Sequence, residues 1–186
     1  MSSTKAAHRA ERRKSRAAAS PAAVDAARLR HFLDWLPERP GVLASYVSVA
    51  GEPSTTTLID EAVSRGWEVR VPVIGRGVDW ARFEGWDAMR EGWRAIPTPI
   101  GPGLGAGSLR EVDVVVASCL AVDRRGYRLG VGGGWYDRAL LHRSADAAVL
   151  AWAREADVVD QVPVEAHDVP VDGIATECGV TMLVTR

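Results

Sequence analysis

The stretch GVLASYVSVAGEPSTTTLIDEAVSRGWEVRVPVIG, residues 41–75, decides the fold. Val42–Val49 is apolar and β-branched and ends at the turn residues Gly51-Glu52-Pro53, the pattern of a strand. Thr55–Arg65 starts in a Ser/Thr cluster and stops at Gly66, as a helix does. Glu68–Val73 reads as the next strand. Links this short predict a parallel, right-handed strand–helix–strand unit.

The same alternation extends outward. Upstream, Pro21–Leu36 predicts a helix, with Ser20 as N-cap and Pro21 at its first position. Val24, Leu29, Phe32, Leu33 and Leu36 give it an apolar face. Downstream, Val78–Ile100 predicts short strands and turns, and Pro97–Gly107 a loop. Val114–Val122 and Ala147–Ala153 read as strands buried on both faces. Asp123–Gly126 is a turn, Gly134–Arg143 a short helix, and Gly173–Thr176 with Val180–Val184 the last strands. These residues predict a doubly wound α/β sheet.

Composition agrees with a globular chain. Its 186 residues are 47% hydrophobic and 25% charged, with a net charge of −1. That rules against disorder as the main state and against a global basic field for nucleic acid. The longest apolar run, Val114–Val122, is far short of a membrane span. The first residues lack the apolar core of a secretory signal. Two cysteines, Cys119 and Cys178, make neither a disulfide framework nor a metal site alone, so a cytoplasmic setting is expected.

Two segments carry possible chemistry. The first is a basic N-terminus, with Lys5, Arg9, Arg12, Arg13, Lys14 and Arg16 against one acid, Glu11. Helix propensity is good over about residues 3–19. The segment reads as a solvated tail, a transit peptide, or a helix that carries cations to an anionic ligand. The second is Arg128-Leu-Gly130-Val-Gly132-Gly-Gly-Trp-Tyr136-Asp137-Arg138. It lacks the Gly-Lys-Ser/Thr of a phosphate loop, and Trp135 occupies the third small position of a dinucleotide fingerprint. It reads either as a backbone anion cradle with Arg128 as a forked donor, or as a tight hairpin. Asp137 is placed to hold a hard cation. A further glycine run, Gly101–Gly107, follows Pro97 and Pro99, contains Pro102, and reads as a mobile linker.

Arg128–Arg138, with Leu140, resembles the signature of the 5-formyltetrahydrofolate cyclo-ligase family, also called 5,10-methenyltetrahydrofolate synthetases. Lys5 and Arg9 resemble the family's Lys-x-x-x-Arg, and Tyr46–Glu52 its aromatic-apolar-Ser strand with a following Glu. Val162–Asp168 and Val171–Thr176 resemble its late segments, so the likeness spans about residues 5–184. Thr98-Pro99 stands where the family has Glu-Pro, and Trp135 where it often has Tyr.

The resemblance implies a single three-layer domain over residues 1–186 with a mostly parallel sheet. It implies closure of 5-formyltetrahydrofolate to 5,10-methenyltetrahydrofolate with ATP becoming ADP and phosphate. For ATP it implies Lys5, Arg9, Arg128, Leu129, Gly130, Val131, Gly132, Gly133, Gly134, Trp135 and Tyr136. For the folate it implies Val47, Glu52 and Trp135, and for Mg²⁺ Asp137 and Asp168. The expected partners are small molecules only, ATP and a reduced formyl folate, with no nucleic acid or membrane and a monomeric chain. No protein nucleophile is required, and His8, His31, His142 and His167 read as surface or structural residues. The alternatives are a paralogue with the same ATP site and another acceptor, or a phosphosugar or CoA-ester binder of similar fold.

Overall fold

The computed structural model describes residues 2–16, 21–75 and 77–183. The main-sheet strands are β1 (Val42–Ser45), β2 (Glu68–Pro72), β3 (Trp80–Arg82), β4 (Val114–Ser118), β5 (Ala148–Trp152), β6 (Gly173–Thr176) and β7 (Gly179–Met182). The helices are α1 (Ser2–Ser15), α2 (Ala22–Trp35), α3 (Thr56–Ser64) and α4 (Trp135–Leu140). Strand order is β7-β6-β5-β4-β1-β2-β3. The neighbours from β6 to β2 are parallel, and β3 and β7 add antiparallel edges.

The period-two alternation of strands builds three layers. Leu43, Val114, Val116, Leu150 and Trp152 pack with Phe32 of α2 and Leu58 and Ile59 of α3. Their sequence neighbours Ala44, Val115, Val149 and Ala151 pack the other way, with Leu109 and with Leu140 of α4. Phe32 meets Trp152 edge-on at 5.4 Å, which seats α2 on the sheet.

The order turns around between β1 and β4. From β1 the chain winds to β2 on one side, and it later winds through β4 to β5 and β6 on the other. Connections at the carboxyl ends of β1 and β4 therefore diverge and leave a crevice, where ligands bind in such sheets.

Several elements are shorter than the sequence suggests. β1 stops at Ser45 rather than Val49. Beyond it, side chains replace the ladder: Thr55 Oγ1 donates to Tyr46 O at 2.8 Å and accepts from Ser48 N at 3.0 Å. The Tyr46 hydroxyl donates to Pro53 O at 2.7 Å. The apolar run Val114–Val122 is two strands. β4 ends at Ser118, and Ala121–Asp123 joins a small sheet with Arg128–Leu129 and Val158–Val159. Both pieces are buried, so their shared hydrophobicity hides the break. α4 covers six residues rather than Gly134–Arg143. The linker reading of Gly101–Gly107 is also corrected. Gly105 N donates to Asp79 Oδ1 and Leu104 N to Trp80 O, both at 2.7 Å, before a 3₁₀ segment at Ala106–Glu111. The basic helix is observed to Ser15, and Arg16 continues its last turn with N donating to Arg12 O. α2 starts at Ala22, so Pro21 is its N-cap and not its first helical residue, its carbonyl accepting from Val24 N and Asp25 N. Ser20, the expected cap, and the end of the last strand at Val184 lie outside the described residues, as do 17–19. No helix among the described residues is long and apolar enough to cross a membrane.

Candidate active site

A hairpin delivers the glycine loop to the crevice. At its turn the fully buried Asp123 carboxylate accepts from the backbone N–H of Arg125 (2.9 Å), Tyr127 (3.2 Å) and Val162 (3.0 Å). The hairpin is thereby fastened to the late loop that carries Asp168. Arg128, buried in the return strand, donates to Val169 O at 2.5 Å and to Asp137 Oδ1 at 2.8 Å. Gly134 enters α4 at φ 59°, a left-handed conformation in which glycine has no Cβ penalty. Tyr136 then donates its hydroxyl to Val116 O at 3.1 Å, which ties the loop to the end of β4. Burial pushes its phenol far above the ordinary value.

The basic segment is a helix laid across this loop, and its attachments are polar. Lys5 Nζ sits 2.7 and 2.9 Å from the two Asp168 oxygens and 3.3 Å from Glu165 Oε2. Arg9 donates to Gly130 O at 3.1 Å, and Arg13 to Val131 O at 2.8 Å. Burial by itself would raise the Asp168 carboxyl. Its bonds to Lys5 and the Glu165 N–H prevail and hold it below the usual carboxylate value.

Two cavities result, and they share a wall. One is apolar and lies at the strand ends, lined by Tyr46 and Val47 after β1, Ile74 after β2, and Trp135 and Tyr136, with Glu52 as its acid. The other is a charged groove lined by Lys5, Arg9, Arg138, Glu165, His167 and Asp168. Arg128, Gly130, Gly133, Gly134 and Asp137 face both. Glu52 accepts from Val49 N at 3.0 Å. Burial lifts its carboxyl above the usual value despite that bond and the nearby Arg16. A desolvated carboxylate of this kind favours a ligand that brings N–H donors.

The structure brings most of the expected residues together and redistributes some of them. Lys5, Arg9, Arg128, Gly130, Gly132, Gly133 and Gly134 line the charged groove. Val131, Trp135 and Tyr136 line the apolar cavity instead. Leu129 lines neither and packs with Leu120, Ala121 and Val162. Val47, Glu52 and Trp135 share the apolar cavity. Thr98 is buried beside Ile96, to whose carbonyl it donates at 3.3 Å, and Ile96 is the residue that reaches the cavity. Asp137 and Asp168 face one groove, but each is paired with a cation, Arg128 and Lys5. Among the described residues, the acids and histidine close enough to share one ion are Glu165, His167 and Asp168, with ligand atoms within 4.8 Å. The groove therefore offers mainly carboxylate oxygen, the donor type a hard cation such as Mg²⁺ takes. Six-residue α4 adds little dipole, so anion attraction rests on the four cations and the loop's N–H groups.

Glu165, His167, Arg138 and Arg16 are groove or cavity residues that the motif reading passes over. Arg16 has a signal in the sequence: Lys5, Arg9, Arg12 and Arg16 recur at helical spacing, one face of α1. Glu165 and His167 have none, because only folding brings them to Lys5 and the groove.

Comparison with known proteins follows the same outline. The model of the 5-formyltetrahydrofolate cyclo-ligase family matches residues 2–177. A 5-formyltetrahydrofolate cyclo-ligase of Mycolicibacterium smegmatis is 35% identical over 161 residues, covering 82% of this chain and 81% of that protein. The solution structure of Aquifex aeolicus 5,10-methenyltetrahydrofolate synthetase superposes with a TM-score of 0.81 at 26% identity, covering 97% of this chain and 93% of that one. The Mycoplasma pneumoniae 5,10-methenyltetrahydrofolate synthetase shares the fold, with a TM-score of 0.73 at 18% identity over 93% of this chain and 98% of that one.

Proposed function

The chain belongs to the 5-formyltetrahydrofolate cyclo-ligase family, and from that premise we propose how its two cavities divide the reaction. The enzyme closes 5-formyltetrahydrofolate to 5,10-methenyltetrahydrofolate. In our reading the charged groove takes the phosphates of ATP and the apolar cavity the folate. Arg128 and the glycine loop stand where the two meet. The shared wall is the observation that carries this reading, because the chemistry needs the two substrates in contact across a group that neutralises phosphate.

A formyl oxygen is a poor leaving group as it stands. Its attack on the terminal phosphorus breaks the bond to ADP and makes an imidate phosphate. The folate N10 then attacks the formyl carbon and gives up its proton to solvent, phosphate departs with that oxygen and its bonding electrons, and the five-membered ring closes. The nucleophile belongs to the substrate, so the chain's task is binding and orientation. Lys5, Arg9 and Arg128 offset charge on the phosphates, and Gly130–Gly134 present backbone N–H groups. Asp137 and Asp168, which face the same groove, would hold Mg²⁺, and the ion would supply charge neutralisation on the transferred group. Glu52 receives the amino and ring N–H donors of the pterin, and Val47 and Trp135 wall its rings. One chain lines both cavities, which supports a monomer as the working unit. The exposed free thiol of Cys178 fits a reducing, cytoplasmic setting.

The test is stoichiometry. Purified chain, 5-formyltetrahydrofolate, ATP and Mg²⁺ yield one ADP for each methenyl chromophore formed, and none of either when one substrate is omitted. Nucleotide hydrolysis without the chromophore would favour a paralogue with another acceptor.

A further inference from the structure

α1 touches the surroundings of both cavities, and its carboxyl end is held by a buried charge cluster that the reaction scheme leaves unused. Arg16, 5% exposed, donates to Asp157 Oδ2 from Nη2 at 2.7 Å and from Nε at 3.1 Å. Asp157, 1% exposed, takes a third bond on the same oxygen from Arg154 Nε at 2.9 Å. Arg12 adds a bond to Ala156 O at 3.3 Å. This anchor lies eleven residues from Lys5, about 16 Å along a helix. Between the two ends, Arg9 and Arg13 hold the carbonyls of Gly130 and Val131. α1 has little apolar surface to fix its axial position, so the anchor sets it. Arg16 also reaches the folate side through its main chain. Gly51 adopts φ 85°, and a Cβ there would lie 2.9 Å from Arg16 O, so turn and helix end are in close contact. Glu52 follows directly. Arg16, Val49, Gly51 and Glu52 wall a third cavity next to the apolar one.

We propose that Arg16, held by Asp157, is a positioning residue that serves both substrates: it sets α1, and with it Lys5 and Arg9 at the groove, and it buttresses the turn that presents Glu52 to the apolar cavity. The inference rests on the functional reading above, since it takes the groove for ATP and the cavity for folate. A purely structural anchor would change melting temperature and leave substrate affinities alone. A positioning residue changes both affinities together and acts through Lys5.

Arg16→Gln is the informative variant, because Asp157 keeps Arg154 as its partner. Expected is a rise of about fivefold or more in KM for both ATP and 5-formyltetrahydrofolate, with kcat within about twofold. Lys5→Ala should then cost less in the Arg16→Gln background than in the wild type, because a displaced Lys5 has less to lose. Arg16→Lys, which keeps the charge, restores part of both KM values and replaces Arg16→Gln if that variant does not fold. Arg65→Gln, in the exposed pair with Glu61, is the control for charge removal elsewhere. Unchanged KM values, a rise for one substrate alone, or full additivity with Lys5→Ala would overturn the proposal. Failure of the functional reading shows separately, as absence of methenyl product from the wild-type chain.

Discussion

Glu52 sets folding against binding within a single carboxylate. Its pKa is raised by burial above the unfolded value near 4.5, so between the two values the folded chain holds a proton that the unfolded chain releases. Stability therefore falls as pH climbs through that window. Glu52→Gln removes the cost: the melting temperature at neutral pH rises, and the gap to wild type closes below about pH 4.5. The same variant should weaken folate binding at least about tenfold and ATP binding far less, since a charge-assisted bond is worth roughly 1.5–3 kcal/mol. Separate binding titrations decide it. Equal losses for both ligands would reduce Glu52 to a turn residue. Asp137→Asn and Asp168→Asn are expected to raise the Mg²⁺ concentration needed for half-maximal turnover, because asparagine keeps shape but not charge. Wild-type Mg²⁺ dependence in both variants would remove them as ligands.

These residues were unevenly legible. Arg128 through Asp137 stand in one contiguous motif, so spacing alone suggested a cradle or a tight hairpin. The pairing of Asp168 with Lys5 spans 163 positions and has no local pattern. Leu129 shows the opposite limit: its place inside the motif suggested a ligand contact, yet strand alternation turns its side chain into the satellite core.

At the scale of elements, α1 is a helix mounted by cations. Its composition left a tail, a transit peptide and a cation-bearing helix open, with the tail foremost, because charge runs alone do not reveal what they face. The docking partners that decide the matter are backbone carbonyls of the glycine loop and acids from the late loop. Deleting residues 1–9 should abolish ATP-dependent turnover while the sheet's cooperative unfolding persists, as among the described residues the core clusters draw on none from α1. Circular dichroism and an ATP titration check this, and full activity with an unchanged KM for ATP would contradict it. Elsewhere, element identity was readable and element ends were not. The strand after Ser45 ends because Ser48 and Thr55 capture its backbone, which hydrophobicity does not record.

Across the whole molecule, the alternation of strand and helix was enough to predict a doubly wound sheet, and the turnaround between β1 and β4 explains where the cavities lie. What the alternation left open was how far each cavity extends along the crevice, because tertiary contacts draw that boundary. The layer packing makes its own prediction. Trp152, 1% exposed between α2 and the sheet, should cost about 3–5 kcal/mol when truncated to alanine, read by denaturant unfolding. A loss below about 1 kcal/mol would mean that α2 is not seated through this ring.

If the shared wall of Arg128 and the glycine loop brings the formyl oxygen against the terminal phosphate, that oxygen leaves with the phosphate. Following that oxygen tests it most directly. 5-Formyltetrahydrofolate carrying a heavy-oxygen label in its formyl group is turned over with ATP, and the phosphate released is analysed by mass spectrometry. One labelled oxygen is expected in each phosphate formed with methenyl product. Unlabelled phosphate accompanying methenyl product would contradict it.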